Sequence, residues 1–484
     1  MVATTLLDWQ TKLRTGGLTA TEAITTALDR LERLEPRLNA ITQVNRDLAL
    51  SAARAADERL LRGDRGCMLG IPVVVKDNIN LKGMGSSQGS AISGSYQSPY
   101  NATVIQRLVD AGAVPLAKAN MDEFAMGSSG EYSALGVTRN PWDNSRVPGG
   151  SSSGAVAAVS AGYAPYSLGT DTGGSVRLPA GFCGVSALRP TYGVLSRYGV
   201  MAMASSLDQI GPIAVSAKDI AAGLSVMTGR DPHDSTSLDL PDASRLPELQ
   251  ASKLKGLRIG LPKEYFTEGL SPAVKDVLET ALGRLASEGA EVVEVSLPHS
   301  RFAIDTYYLI NTSEVSSNLS RFDGVRFGAR KASEDLHRMI SQTRDEGFGS
   351  EAKRRILLGA FCLSKGYYEA FYLKALKVRT LITRDFQEAF KKVDVIATPL
   401  SPSTAFPIGS KTASPLEMYL ADVFTVTMAL AALPALAIPA GFVEGLPVGI
   451  QFVGPSLSDV RLLEMGAAFQ ELTDHHLQQP NLDF

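Results

Sequence analysis

An alternation of short β-branched runs with helical stretches constrains this fold most. IPVVVKDN (residues 71–78) is a compact apolar run of the kind that forms a buried strand. Residues 103–111 then read as a helix and AVPLAKAN (113–120) as the next strand. LRIGLP (257–262), a helix across Ser271–Ser287 and EVVEVSLP (291–298) repeat the pattern. Such βαβ units predict an α/β fold with a mixed, mainly parallel central sheet covered by helices on both faces.

The rest of the chain fits around that sheet. Residues up to Arg62 read as two or three helices, with Leu28, Leu31 and Leu34 on an apolar face, and 352–390 as strongly helical and basic. VIATPL (395–400), ALAIPAG (435–441) and GIQFVG (449–454) read as late strands before a C-terminal helix. Residues 231–254 read as a polar surface excursion. Residues 126–211 are dense in Gly, Ser and Pro and too long for a linker, which marks an irregular functional surface. We expect one domain over 1–484, with 1–62 as an N-terminal helical segment and 220–300 as a peripheral insertion of β-α-β pattern.

Composition excludes several function classes. With 44% hydrophobic and 20% charged residues the chain is an ordinary globular one, and a net charge of −3 supplies no field for nucleic acid. Contacts to any RNA therefore fall to another subunit. Three scattered cysteines, Cys67, Cys183 and Cys362, form no CxxC pair, which points to a reducing compartment and away from structural zinc. The first residues lack the apolar run of a signal peptide, so a cytoplasmic location is expected. The apolar stretch 425–441 is short for a membrane span and holds Pro434 and Pro439, which makes it a buried helix running into a core strand.

Chemistry concentrates in two glycine-rich blocks, VPGGSSSGAVAAVSAG (147–162) and GTDTGGSVRLPAGFCG (169–184). In the second, consecutive glycines precede Ser175. Glycines clear the way for an approaching carbonyl and allow N–H groups from Thr172, Gly173, Gly174 and Ser175 to converge on a developing oxyanion. A nucleophilic serine needs a base, and none of the five histidines lies in this region. Lys76, at the end of IPVVV, is the stronger candidate if burial lowers its pKa by about three units from its usual ~10.4. GSSSG (150–154) formally matches a nucleophile elbow centred on Ser152, but a loop precedes it where the elbow needs a strand. No G-K-[ST] follows the glycines, so a phosphate-binding loop is excluded.

Together these blocks resemble the amidase signature family over nearly the whole chain. The resemblance places a Ser–Ser–Lys triad on Lys76, Ser151 and Ser175, with gaps of 75 and 24 residues. It implies that neutral Lys76 takes a proton from Ser151, which takes one from the nucleophile Ser175. Backbone N–H groups of 172–175 hold the oxyanion, Gly150–Ser151 is cis, and Asp171 and Arg177 brace the loop. Two positions depart from the family pattern: Ser153 replaces a usual glycine, and Leu178 a frequent glutamine.

Within the family, MDEFAMGSSGEYS (121–133), RYGVMAMASSLDQIGP (197–212), SSNLSRFDGVRFG (316–328) and KRRILLGAF (353–361) resemble the glutaminase subunits of tRNA-dependent amidotransferases. This implies glutamine as substrate and a heterotrimer with B and C subunits. Ammonia then passes to a partner that binds the aminoacyl-tRNA and uses ATP and Mg²⁺. No cofactor, metal or membrane is expected for this chain. A free amino acid calls for one acid and one bidentate base, and the resemblance places these on Asp422 and Arg355, with Arg354 a competitor for the second role. The alternative is a free-standing amidase acting on another small amide.

Overall fold

Eleven strands among the described residues form a single sheet: β1 (Ile41–Val44), β2 (Pro72–Lys76), β3 (Val114–Ala119), β4 (Tyr166–Asp171), β5 (Ser186–Arg189), β6 (Gln209–Ala214), β7 (Arg258–Pro262), β8 (Glu291–Val295), β9 (Val395–Pro399), β10 (Ala435–Val443) and β11 (Leu446–Val453). Their spatial order is β1-β3-β2-β4-β6-β5-β10-β11-β9-β7-β8. The computed structural model describes residues 5–266 and 269–482.

The sheet is mixed, as expected, but not mainly parallel. Parallel pairing is confined to β3-β2-β4 on one flank and β9-β7-β8 on the other. The remaining six neighbour pairs are antiparallel. The physical reason is how the strands are joined. The flanking runs read from the sequence are linked through helices and so pair in parallel. The centre instead holds the β10–β11 hairpin, whose two-residue turn places Glu444 at φ 50° and Gly445 at φ 78°, the positive values such tight hairpins require.

Secondary structure follows the sequence closely at the strongly periodic elements. The helices Thr103–Asp110 and Pro272–Ser287 and strands β2, β3, β7 and β8 fall where the patterns put them. Ala20–Leu38 buries Leu28, Leu31 and Leu34, as helical spacing demands. The apolar stretch 425–441 is the helix Val426–Leu430 followed by β10, and no helix among the described residues is long and apolar enough to cross a membrane.

Three regions differ. The N-terminal helical segment also contributes β1, which pairs antiparallel with β3. Residues 126–211 contain β4, β5, part of β6 and the helices Ser153–Ser160 and Arg177–Cys183, so glycine richness there reflects close packing more than irregularity. The basic segment 352–390 is interrupted, with helices Ser350–Cys362 and Lys374–Phe390 separated by a turn and a short π-helix, Glu369–Leu373.

Candidate active site

Strands β2 and β4 are adjacent and parallel, with Val75 opposite Leu168. Lys76 closes β2. Asp171 closes β4, and Thr172–Ser175 follow at once before the helix that begins at Arg177. Two of the three residues expected to act together thus leave the same ends of neighbouring strands. The third, Ser151, sits in the loop before the helix Ser153–Ser160, and the Gly150–Ser151 peptide is cis.

Lys76 is fully buried, and its Nζ lies 2.9 Å from each of Ser151 Oγ, Ser152 Oγ and Thr170 Oγ1. Burial pushes its pKa down to about 7, against the opposing pull of Asp122, Asp171 and Asp208. The sequence argument required a drop of that size: a substantial fraction of Lys76 is a neutral amine near pH 7, able to accept a proton.

Ser175 retains 8% exposure, whereas Ser151 is fully buried. The two segments are stitched together by the Ser152 N–H, which donates to the Ser175 carbonyl at 3.1 Å. The Lys76–Ser151 contact is formed; the Ser175 hydroxyl has no hydrogen-bonding partner among the described residues, which leaves it free to turn toward a substrate or toward Ser151. The N–H groups of Thr172, Gly173, Gly174 and Ser175 likewise donate to no acceptor among the described residues. Unpaired N–H groups on a buried loop are rare and costly unless something else takes the bond. Here they are available for an oxyanion.

The loop is held firmly from behind. Asp171 accepts from Arg177 Nε and Nη2 and from Arg189 Nη1, each at 3.0 Å, and all three side chains are fully buried. Burial alone would raise the Asp171 pKa, but the two guanidinium groups outweigh it and hold it at about 2. Arg177 also reaches Gln451 Oε1 and the Thr425 carbonyl, tying the loop to β11 and to the segment before β10. The bracing expected of Asp171 and Arg177 is therefore present, with Arg189 as a partner the sequence did not reveal.

Arg355 and Asp422 are both buried, at 3% and 7% exposure. Arg355 Nε donates to Glu351 Oε1 at 2.8 Å, Nη1 lies 3.4 Å from Asn311 Oδ1, and the guanidinium carbon lies 5.1 Å and 5.4 Å from the ring centres of Tyr308 and Tyr419, which stack on each other at 3.9 Å. Arg354, by contrast, has a side chain 41% exposed and paired with Glu351. Asp422 accepts from Ser128 Oγ, and burial pushes its pKa up to about 7. One helix, Ala303–Asn318, connects this region to the loop: it carries Tyr308 and Asn311 beside Arg355, and Tyr307 packed so closely on Gly173 that a Cβ there would stand 2.7 Å from the phenol oxygen.

Several supporting residues were not foreseen. Asp122, fully buried, accepts from the Gly130 and Tyr132 N–H groups, while its own N–H donates to the Ser151 carbonyl at 3.3 Å. Asp208 accepts from Thr172 Oγ1 at 2.7 Å and from the N–H groups of Met203 and Ala204. Both lie inside segments recognised for their resemblance, MDEFAMGSS and ASSLDQ, yet nothing in spacing alone assigns them. Of the two departures, Ser153 satisfies its added hydroxyl near Thr138 Oγ1 (3.3 Å) and the Asn120 carbonyl (3.4 Å). Leu178 is fully buried in an apolar cluster with Val147, Phe182, Phe406 and Met418.

Known proteins share this architecture. The Amidase family profile matches residues 22–463. The A subunit of glutamyl-tRNA(Gln) amidotransferase from Chloroflexus aggregans is 52% identical over 473 residues, covering 98% of this chain and 97% of that one. Its counterpart from Carboxydothermus hydrogenoformans is 50% identical, covering 97% of each. Among solved structures, the A subunit of glutamyl-tRNA(Gln) amidotransferase from Thermotoga maritima aligns with a TM-score of 0.77 at 39% identity, covering 94% of each chain. A peptide amidase of Stenotrophomonas maltophilia aligns at 0.84 with 31% identity, covering 100% and 99%.

Proposed function

The chain belongs to the amidase family, and on that premise we propose that it is the glutamine-hydrolysing subunit of a glutamyl-tRNA(Gln) amidotransferase. Fold alone does not choose this over a free-standing amidase, because a peptide amidase superposes as well as the Thermotoga amidotransferase subunit does. Identity of about half over nearly the full length favours the amidotransferase. Arg355 and Asp422, both buried, fit the same reading, since a free amino acid presents one carboxylate and one ammonium.

The single observation that carries the mechanism is the contact between buried Lys76 and Ser151. In this reading neutral Lys76 accepts the Ser151 proton as Ser151 accepts that of Ser175. Ser175 Oγ attacks the side-chain amide carbon of glutamine, and the oxyanion is taken by the free N–H groups of 172–175. The relay returns a proton to the amide nitrogen, the C–N bond breaks, and ammonia leaves. Water then hydrolyses the γ-glutamyl ester on Ser175 to glutamate.

Ammonia passes to a partner that binds Glu-tRNA(Gln) and activates it with ATP and Mg²⁺, giving Gln-tRNA(Gln) in a complex with B and C subunits. We place that reaction in the cytoplasm. An exposed apolar face supports such company: Leu357, Leu358, Phe361, Leu363, Tyr367 and Tyr368 all stand open along the helix Ser350–Cys362 and the turn after it.

Glutamine hydrolysis measured on the complex purified from the native cell tests the proposal. Ser175→Ala should abolish ammonia release while the chain stays folded and assembled. Release at the wild-type rate would overturn the mechanism, and turnover of other amides without glutamine would move the assignment to a free-standing amidase.

A further inference from the structure

Thr425 joins the two halves of the site. It lies at the start of the helix Val426–Leu430, is fully buried, and places its Oγ1 2.6 Å from the Gly173 carbonyl oxygen and 3.1 Å from that of Asp422. Its own N–H donates to the Asp422 carbonyl at 3.0 Å, and its carbonyl accepts from Arg177 Nη2 at 3.0 Å. One residue is thereby tied to the expected ammonium anchor, to the brace behind the loop, and to the loop itself.

The contact with Gly173 has a directional consequence. The 173–174 peptide is trans, and in a trans peptide the C=O and N–H vectors point to opposite sides. Holding the Gly173 carbonyl toward Thr425 therefore turns the Gly174 N–H away from it, and that N–H is one of those with no protein acceptor among the described residues. Gly174 itself has φ 143°, a backbone region that favours glycine, and a Cβ there would stand 2.6 Å from the Thr425 Cβ. Thr425 thus fixes the plane of the peptide and closes off its other rotations.

We infer that Thr425 is a positioning residue that aims the Gly174 N–H at the oxyanion and holds it in register with the Asp422 end of the substrate. It touches no reacting atom. Its contribution is to keep a donor in place before the reaction begins, so that binding of the amino-acid end is converted into alignment of the amide carbonyl. The inference rests on the reading of residues 172–175 as the oxyanion site.

Steady-state glutaminase kinetics on the assembled complex test it. Thr425→Val keeps the shape and removes the hydroxyl; it should lower kcat about tenfold to a hundredfold while glutamine KM stays within about twofold. Thr425→Ser retains the hydroxyl and should restore kcat to within about threefold of wild type. An unchanged kcat in Thr425→Val overturns the inference. So does a loss confined to KM, which would make Thr425 a support of Asp422 only, or a Thr425→Ser variant as slow as the valine one, which would make the methyl group the part that matters. Should the valine variant fail to fold, Thr425→Ala, which cannot overpack the site, is held to the same outcomes. A wild-type complex that does not hydrolyse glutamine refutes the functional reading itself; a wild-type complex that does, with Thr425→Val unimpaired, refutes this inference alone.

Discussion

Lys76 Nζ and Ser151 Oγ lie 2.9 Å apart in a place closed to solvent, although 75 residues separate them in the chain. Burial sets the proton affinity of the lysine, and the strand ladder sets its position.

The first prediction concerns pH. In the proposed relay Lys76 acts as a neutral amine, and burial holds its pKa at about 7, so kcat should rise with pH through about 7 and level off above it. Well below that point it should fall about tenfold per unit. A pH–rate profile of glutaminase activity checks this; a profile flat from pH 6 to 9 would contradict it. Lys76→Met should remove both the activity and its pH dependence.

Arginine geometry gives the second. Arg355→Lys keeps the charge but loses the planar fork and its cation–π contacts with Tyr308 and Tyr419. Glutamine KM should rise at least about tenfold. Arg354→Ala, at a half-open position, should leave KM within about twofold.

Asp171 supplies the third. Its folded pKa of about 2 lies below the ordinary carboxylate value, so its stabilising contribution is complete above about pH 4 and is lost as pH falls from there through 2. Roughly 2 kcal/mol should disappear across that window. Asp171→Ala leaves Arg177 and Arg189 buried without their acid and should destabilise the chain by about 3–5 kcal/mol, read as a lowered Tm.

Gly174→Ala is the fourth. The added methyl group meets both an unfavourable φ of 143° and the Thr425 side chain. Glutaminase kcat should drop about a hundredfold or more, with Tm moving far less than in Asp171→Ala, because the damage is to the aim of the loop. Equal damage to both readouts would show that the loop supports the fold at large.

What the sequence revealed and what it hid divide along physical lines. Local patterning exposed β2 and β3, which are buried along their whole length, as short apolar runs, and β7 and the largely exposed edge strand β8 through their β-branched residues on either side of a periodic helix. Pairing direction was hidden: the runs at β10 and β11 say that strands form, while their partners are set by chain reversals remote from the runs themselves, and β5 and β6 lie within a stretch whose composition reads as irregular. At the site, the glycine block advertised Ser175, and the lack of a nearby histidine drew attention to Lys76. Arg189, Asp208 and Thr425 carry no such mark. Each reaches the loop only through tertiary contacts, from 18, 36 and 252 residues away respectively. The sequence also does not tell the buried Arg355 from the half-open Arg354, since neighbouring positions on a helix differ only in the direction they face.

The pairing of β2 with β4 bears on how such a site can change over generations. Lys76 and the loop at 172–175 inherit their spacing from a strand ladder, in which neighbours stand about 4.8 Å apart whatever the chain does in between. The surface loops of the excursion between them can therefore grow or shrink without moving those two segments apart, provided β3 and the turn that carries Ser151 keep their places. A lineage can revise what the enzyme recognises while leaving the bond-breaking machinery at its original address.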